Sequence, residues 1–107
     1  MTDIVVVLTT VADSDQAEAI ASQIVRERLA ACVNLLPAML SFYRWKGQVE
    51  REPERQLVIK TTRDRVPALE ARIRELHSYE LPEFLVLPVD RGSAAYVSWV
   101  IDQTQPS

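Results

Sequence analysis

The densest run of polar and aromatic side chains in the sequence is His77-Ser78-Tyr79-Glu80-Leu81-Pro82-Glu83. An imidazole with carboxylates is a donor set for a divalent metal, and the nitrogen ligand favours copper or zinc. His77 with Glu80 and Glu83 is therefore a candidate metal site, to be completed by water or a neighbouring subunit. A structural reading stands beside it. A histidine in the last turn of a helix complements the helix dipole, Tyr79 packs, and Pro82 keeps the helix from continuing. Cys32, which follows Ala30-Ala31, also has two readings, a buried small hydrophobe or a soft ligand for copper.

Other chemistry is excluded by what the sequence lacks. One Cys and one His cannot supply the four ligands of a closed structural zinc site within one chain. A single histidine cannot serve a Ser-His-Asp or Cys-His-Asn set either, so no enzymatic activity is expected. Gly47 and Gly92 lie far apart, so there is no Gly-rich phosphate loop and no dinucleotide fingerprint, and no organic cofactor is expected. The stretch Thr9-Thr10-Val11-Ala12-Asp13 lacks the glycine and arginine of an acylphosphatase-type anion loop. Twelve Lys+Arg against 15 Asp+Glu give a net charge of -3, which argues against a nucleic-acid binder. The start, Met1-Thr2-Asp3-Ile4, has no basic n-region and the aliphatic run ends at Leu8, so no membrane span and a cytoplasmic location are expected. A length of 107 residues, 48% of them hydrophobic, predicts one domain over 1–107.

The elements that must position these residues follow from periodicity. Ile4 to Thr10 is a β-branched run without helical spacing and reads as a strand. Asp13 and Gln16 have capping-box spacing ahead of a helix whose buried stripe is Ala17, Ile20, Ile24 and Leu29. Cys32 to Trp45 and Gln48 to Thr62 read as a long antiparallel hairpin turning at Lys46-Gly47, interrupted once by Pro37. Asp64 is placed to cap a second helix, Pro67 fits its first turn, and Val66, Leu69, Ile73 and Leu76 form its stripe. Glu83 to Val89 reads as a last strand, and Ser93 as the cap of a final helix carrying Tyr96, Trp99 and Val100. The order is β-α-β-β-α-β with an added C-terminal helix. Right-handed crossovers make this an α+β, ferredoxin-like four-stranded antiparallel sheet with two helices on one side.

Two features ask for burial that one chain cannot supply. The first and last strands are apolar on both faces, and a C-terminal helix of about three turns covers only part of a sheet. The hairpin arms, at about 14 residues and 3.3 Å per residue, span roughly 46 Å. A chain of this length has a diameter of roughly 34 Å. The hairpin must bend at Pro37 and Pro53 or project with Phe42, Tyr43 and Trp45 near its tip, and strand-mediated homo-oligomerisation is expected. Glu50, Glu52 and Glu54 share one face of it and read as solvated charges pairing with Arg44 or Lys46.

Ala30-Ala31-Cys32-Val33-Asn34, Ser41-Phe42-Tyr43-Arg44-Trp45-Lys46-Gly47, Ile59-Lys60-Thr61-Thr62, His77 to Glu83 and Tyr96-Val97-Ser98-Trp99 follow one another in an order that closely resembles the CutA divalent-cation tolerance family. The resemblance implies a homotrimer assembled through its hairpins, similar in plan to the PII signalling proteins, and a role in the response to divalent metal ions with copper binding. Some members carry a cysteine at the end of the first strand and two adjacent histidines; this chain has Thr9 and Leu76 there, leaving His77. A second expectation is a PII-like module that takes a small anion or a protein partner between subunits, with Lys60, Arg44 and Lys46 as anion contacts.

Overall fold

A computed structural model describes residues 1–106. Its elements are β1 (Ile4–Ala12), α1 (Gln16–Arg26), β2 (Cys32–Leu35), β3 (Met39–Trp45), β4 (Gln48–Thr62), α2 (Val66–Leu76), β5 (Leu85–Pro88) and α3 (Ala94–Gln103), with a 3-10 turn at Arg63–Arg65 ahead of α2. The strands make one antiparallel sheet in the order β2-β4-β1-β5, and β3 pairs with the outer part of β4. This is the ferredoxin-like α+β plan with its extra C-terminal helix.

The sheet has five strands where the sequence predicts four. The chain breaks at Leu36-Pro37-Ala38, because proline has no N–H to give the ladder. One expected arm thus becomes β2, which pairs Cys32–Leu35 with Lys60–Leu57, and β3, which pairs Met39–Trp45 with Glu54–Gln48. Pro53, by contrast, does not interrupt β4. It lies opposite Leu40, and its carbonyl accepts a hydrogen bond from the Asp13 N–H. The last strand is shorter than expected, holding only four residues against Val5–Leu8 of β1.

Helix starts differ in detail. Ser93 caps α3 as its sequence predicts, its hydroxyl accepting from the Tyr96 N–H. Asp13 does not form the expected capping box; the Ser14 hydroxyl accepts from the Gln16 N–H instead. Asp64 falls inside the 3-10 turn and α2 carries no side-chain cap, although Pro67 sits in its first turn as expected.

Alternation along the strands fixes two unlike faces. Val5, Val7, Val11, Leu57 and Ile59 point to the helix side and are fully buried against Ala17, Ile20 and Ile24 of α1 and Leu69 and Ile73 of α2. The opposite face carries Val6, Leu8, Val58, Leu85 and Leu87. Helix α3 covers one end of it, seating Val100 and Thr104, and Arg28 holds the helix exit by donating to the carbonyls of Asp102 (2.9 Å) and Gln105 (2.7 Å). Leu85 and Leu87 stay exposed.

Pairing with β1 ends at Glu54, so Gln48–Pro53 runs on with β3 as a two-stranded ribbon about 20 Å long. The chain measures 44 × 26 × 23 Å. Of the two outcomes open to the hairpin, projection is the one adopted.

Candidate functional site

The segment after α2 crosses the edge of β1 beyond the end of β5, where strand carbonyls have no ladder partner. His77 meets that need. Its Nε2–H donates to the Thr10 carbonyl at 2.7 Å, and its Nδ1 accepts from the Tyr79 N–H at 3.0 Å. These two bonds require the neutral ring with its proton on Nε2. Only 8% of His77 is exposed, and its ring lies 4.6 Å from that of Tyr79. Both ring nitrogens are thus committed within the chain.

Tyr79 then reaches back onto the ribbon. Its hydroxyl donates to Glu54 Oε2 at 2.6 Å, and Glu54 is only 5% exposed, unlike the solvated charge its sequence context predicts. Burial, then this bond and the charge behind it, push the Tyr79 hydroxyl well above the usual tyrosine range. Next to it the Gln56 amide donates to the Thr9 carbonyl (2.7 Å) and to Glu83 Oε2 (3.0 Å), and the Ser78 hydroxyl donates to Gln16 Oε1 (3.1 Å). Segment and ribbon enclose a groove of about 840 Å³ whose walls include Tyr43, Trp45, Glu54, Tyr79 and Glu83. Burial, then the carboxylates of Glu52, Glu54 and Glu50, raise the Tyr43 hydroxyl as well.

The residues predicted to bind metal are not brought together. Glu80 extends from the segment as an exposed ion pair with Lys46 at 3.7 Å, while Glu83 faces Gln56. Cys32 sits half-buried at the α3 end, opposite Lys60 on β4. Lys60 is four residues along β4 from Gln56, or about 13 Å from the His77 region. The Tyr96 hydroxyl is raised chiefly by burial and then by Cys32 beside it. No cluster of three or more His, Cys, Asp or Glu side chains able to hold a metal occurs among the described residues. Thr9 points into the core on the other face of the sheet from the groove. The anion contacts are separated too, for Lys60 bonds Asn34 near one end of β4 and Lys46 sits at the ribbon tip beyond the other.

Sequence reasoning missed Glu54. A glutamate in Glu50-Arg51-Glu52-Pro53-Glu54-Arg55 carries no local sign of burial, and its partner Tyr79 is 25 residues away. Gln56 was missed for the same reason.

The arrangement has close counterparts. The family model described as CutA1 divalent ion tolerance protein matches residues 5–103. The chain belongs to that family. The divalent-cation tolerance protein CutA of Thermus thermophilus is 43% identical over 99 residues, covering 92% of this chain and 96% of the relative. The CutA protein of Yersinia pestis is 46% identical over 96 residues, covering 90% and 81%. The solved structure of the divalent cation tolerance protein from Thermus thermophilus superposes with a TM-score of 0.92 at 42% identity, over 95% of this chain and 99% of that one. The family's description names tolerance of divalent ions.

Proposed function

We propose that this chain serves tolerance of divalent cations as a homotrimer in the cytoplasm, with no metal resident inside a single subunit. The observation that carries the assembly is the projecting ribbon, on which Leu40, Phe42 and Val49 are 51%, 66% and 68% exposed. Apolar surface of that kind on a paired ribbon favours association over solvation. The exposed Leu85 and Leu87 on the uncovered sheet face add to the same tendency. The number three follows from the family resemblance.

The residues present do not fit a resident copper or zinc ion within one subunit. His77 offers no free nitrogen, and Cys32 lies apart from the carboxylates. A divalent cation approaching the chain would meet the exposed carboxylates of Glu52 and Glu80. A PII-like ligand cleft is favoured by the groove beside the ribbon, but its acidic lining does not suit a small anion.

Native mass spectrometry of the purified chain with and without Cu(II), beside a His77→Gln variant, tests both halves. The expected wild-type mass is three times 12.1 kDa, about 36 kDa, before any metal is added. Copper uptake is expected to be equal in wild type and variant. A 12.1 kDa species alone would overturn the assembly, and stoichiometric copper lost on substitution would overturn the structural role of His77.

A further inference from the structure

The groove between the ribbon and the segment from His77 to Glu83 holds about 840 Å³, which is within the range of small-molecule pockets, roughly 300–1,000 Å³. Strand pairing sets Tyr43 and Trp45 on the same face of the ribbon as Glu54, and Tyr79 stands in the opposite wall. The carboxylates of these walls differ in what they already hold. Glu80 pairs with Lys46 at the exposed rim, and Glu83 accepts from the Gln56 amide. Glu54 is only 5% exposed and forms no salt bridge among the described residues. Its Oε2 accepts from Tyr79, whereas Oε1 accepts no hydrogen bond among the described residues and is not sealed from solvent. Because Glu54 lines the groove, that oxygen opens into it. The one cationic residue of the walls, Arg44, falls on the reverse face of the ribbon by alternation.

We infer that the groove binds a small organic ammonium, whose N–H donates to Glu54 Oε1 while its apolar body lies against Tyr43 and Trp45. A nearly buried carboxylate with one unbonded oxygen and no counter-ion lacks a positive donor, and a charge-assisted hydrogen bond supplies one. The walls suit the same ligand, since the faces of Trp and Tyr attract a cation within about 6 Å. Trp45 already draws the Lys46 ammonium to 5.6 Å from its ring centre at the ribbon tip. After burial, Glu54 raises the Tyr79 hydroxyl, and Glu52 then Glu54 raise that of Tyr43, so both rings stand within reach of the Glu54 charge. Other ligands fit less well. A hard divalent cation takes about six or more oxygens, and no cluster of three or more His, Cys, Asp or Glu side chains stands ready for one among the described residues. A small anion would meet the Glu54 charge, and an apolar ligand without a donor would cover Oε1 and leave it unbonded. The inference uses the groove of one chain and rests on neither the homotrimer nor the metal-tolerance role proposed above.

Isothermal titration calorimetry of the full chain at neutral pH tests it, with 2-phenylethylammonium as the probe and the neutral 2-phenylethanol as its match in shape. The ammonium is expected to bind at a single site per chain, roughly tenfold or more tighter than the alcohol. Glu54→Gln removes the charge and keeps a side-chain oxygen to accept from Tyr79. It is expected to weaken the ammonium by roughly tenfold or more and to leave the alcohol unchanged. Tyr43→Leu lies on the ribbon outside the helix-packed core, so it keeps the test open should Glu54→Gln fail to fold by circular dichroism. It is expected to weaken the ammonium severalfold and more than the alcohol. Equal affinity of the wild type for ammonium and alcohol would overturn the inference, as would a folded Glu54→Gln that binds the ammonium undiminished. Displacement of the bound ammonium by an equal concentration of Mg²⁺ would overturn it in favour of a metal. No binding by a folded, assembled wild type, the result if a neighbouring copy fills the groove, would overturn it and leave the homotrimer standing. Binding by a wild type that is monomeric in native mass spectrometry would support it and remove the homotrimer instead.

Discussion

His77 and Tyr79 show how one residue type can be drawn into structure by a need that arises elsewhere. The Thr10 carbonyl lies where β5 has ended, and an imidazole at 2.7 Å spares it a buried, unpaired state. Tyr79 does the same for Glu54, whose carboxylate sits in a nearly closed site and forms no salt bridge among the described residues. Tyr79→Phe removes the donor and leaves that carboxylate buried without a partner, at an expected cost of about 1–2 kcal/mol in chemical denaturation. The same bond has a pH signature. A hydroxyl whose folded pKa is raised contributes stability that is fully present below the ordinary tyrosine value of about 10 and is lost as pH rises through the folded value. Wild type should lose stability faster than Tyr79→Phe on alkaline titration. Parallel curves for the two proteins above pH 10 would show that Tyr79 is not the group responsible.

The ribbon depends on its two-residue turn. Lys46 (φ 49°) and Gly47 (φ 80°) both lie in the left-handed region, as a type I′ hairpin requires, and this twist matches that of the flanking strands. A Cβ at Gly47 meets no atom within 4 Å, so the penalty for a larger residue is one of backbone conformation alone. Gly47→Ala is expected to cost roughly 1 kcal/mol. Because the ribbon is paired on one side only, the loss should appear as faster amide exchange in β3 while the amides of β1 keep their protection. Equal acceleration in both strands would mean that the ribbon opens only with the whole domain. The same element shows how far the sequence could be read: Lys46-Gly47 and the alternation around it announce the hairpin, and Pro37 announces an interruption. What the interruption does, leaving β2 and β3 as separate partners of an unbroken β4, depends on the ladder to β4 and is absent from any local pattern.

At the scale of the molecule the apolar residues divide into those buried beneath the helices and those exposed on the opposite face of the sheet. Leu57 is 0% exposed beneath the two helices, and Leu87 is 47% exposed on the opposite face. The same substitution should therefore act on different equilibria. Leu57→Ala is expected to destabilise the fold by about 2–5 kcal/mol. Leu87→Ala should leave the chain folded and weaken assembly, so that its oligomer dissociates at a higher protein concentration than that of the wild type and the melting temperature falls most in dilute solution. Equal losses independent of concentration would place Leu87 in the fold rather than in an interface. The α1–α2 contact adds a smaller effect of known sign. The Arg72 guanidinium, then the Gln23 amide, hold the Glu27 carboxyl below its usual range, so this contribution is present above the ordinary carboxylate value and lost as pH falls through the lowered one.

By itself the sequence determined the order of elements, the hairpin and its excess length, and the surplus of apolar strand surface. These are consequences of side-chain period and chain geometry, which act over a few residues and can be read there. It also narrowed the candidate site to the stretch from His77 to Glu83. Only the tertiary structure decided what that stretch does. The partner of His77 is 67 residues away and that of Tyr79 is 25 residues away, and both are fixed by the register of β1 against β4. That long-range pairing commits both nitrogens of the one histidine and buries Glu54.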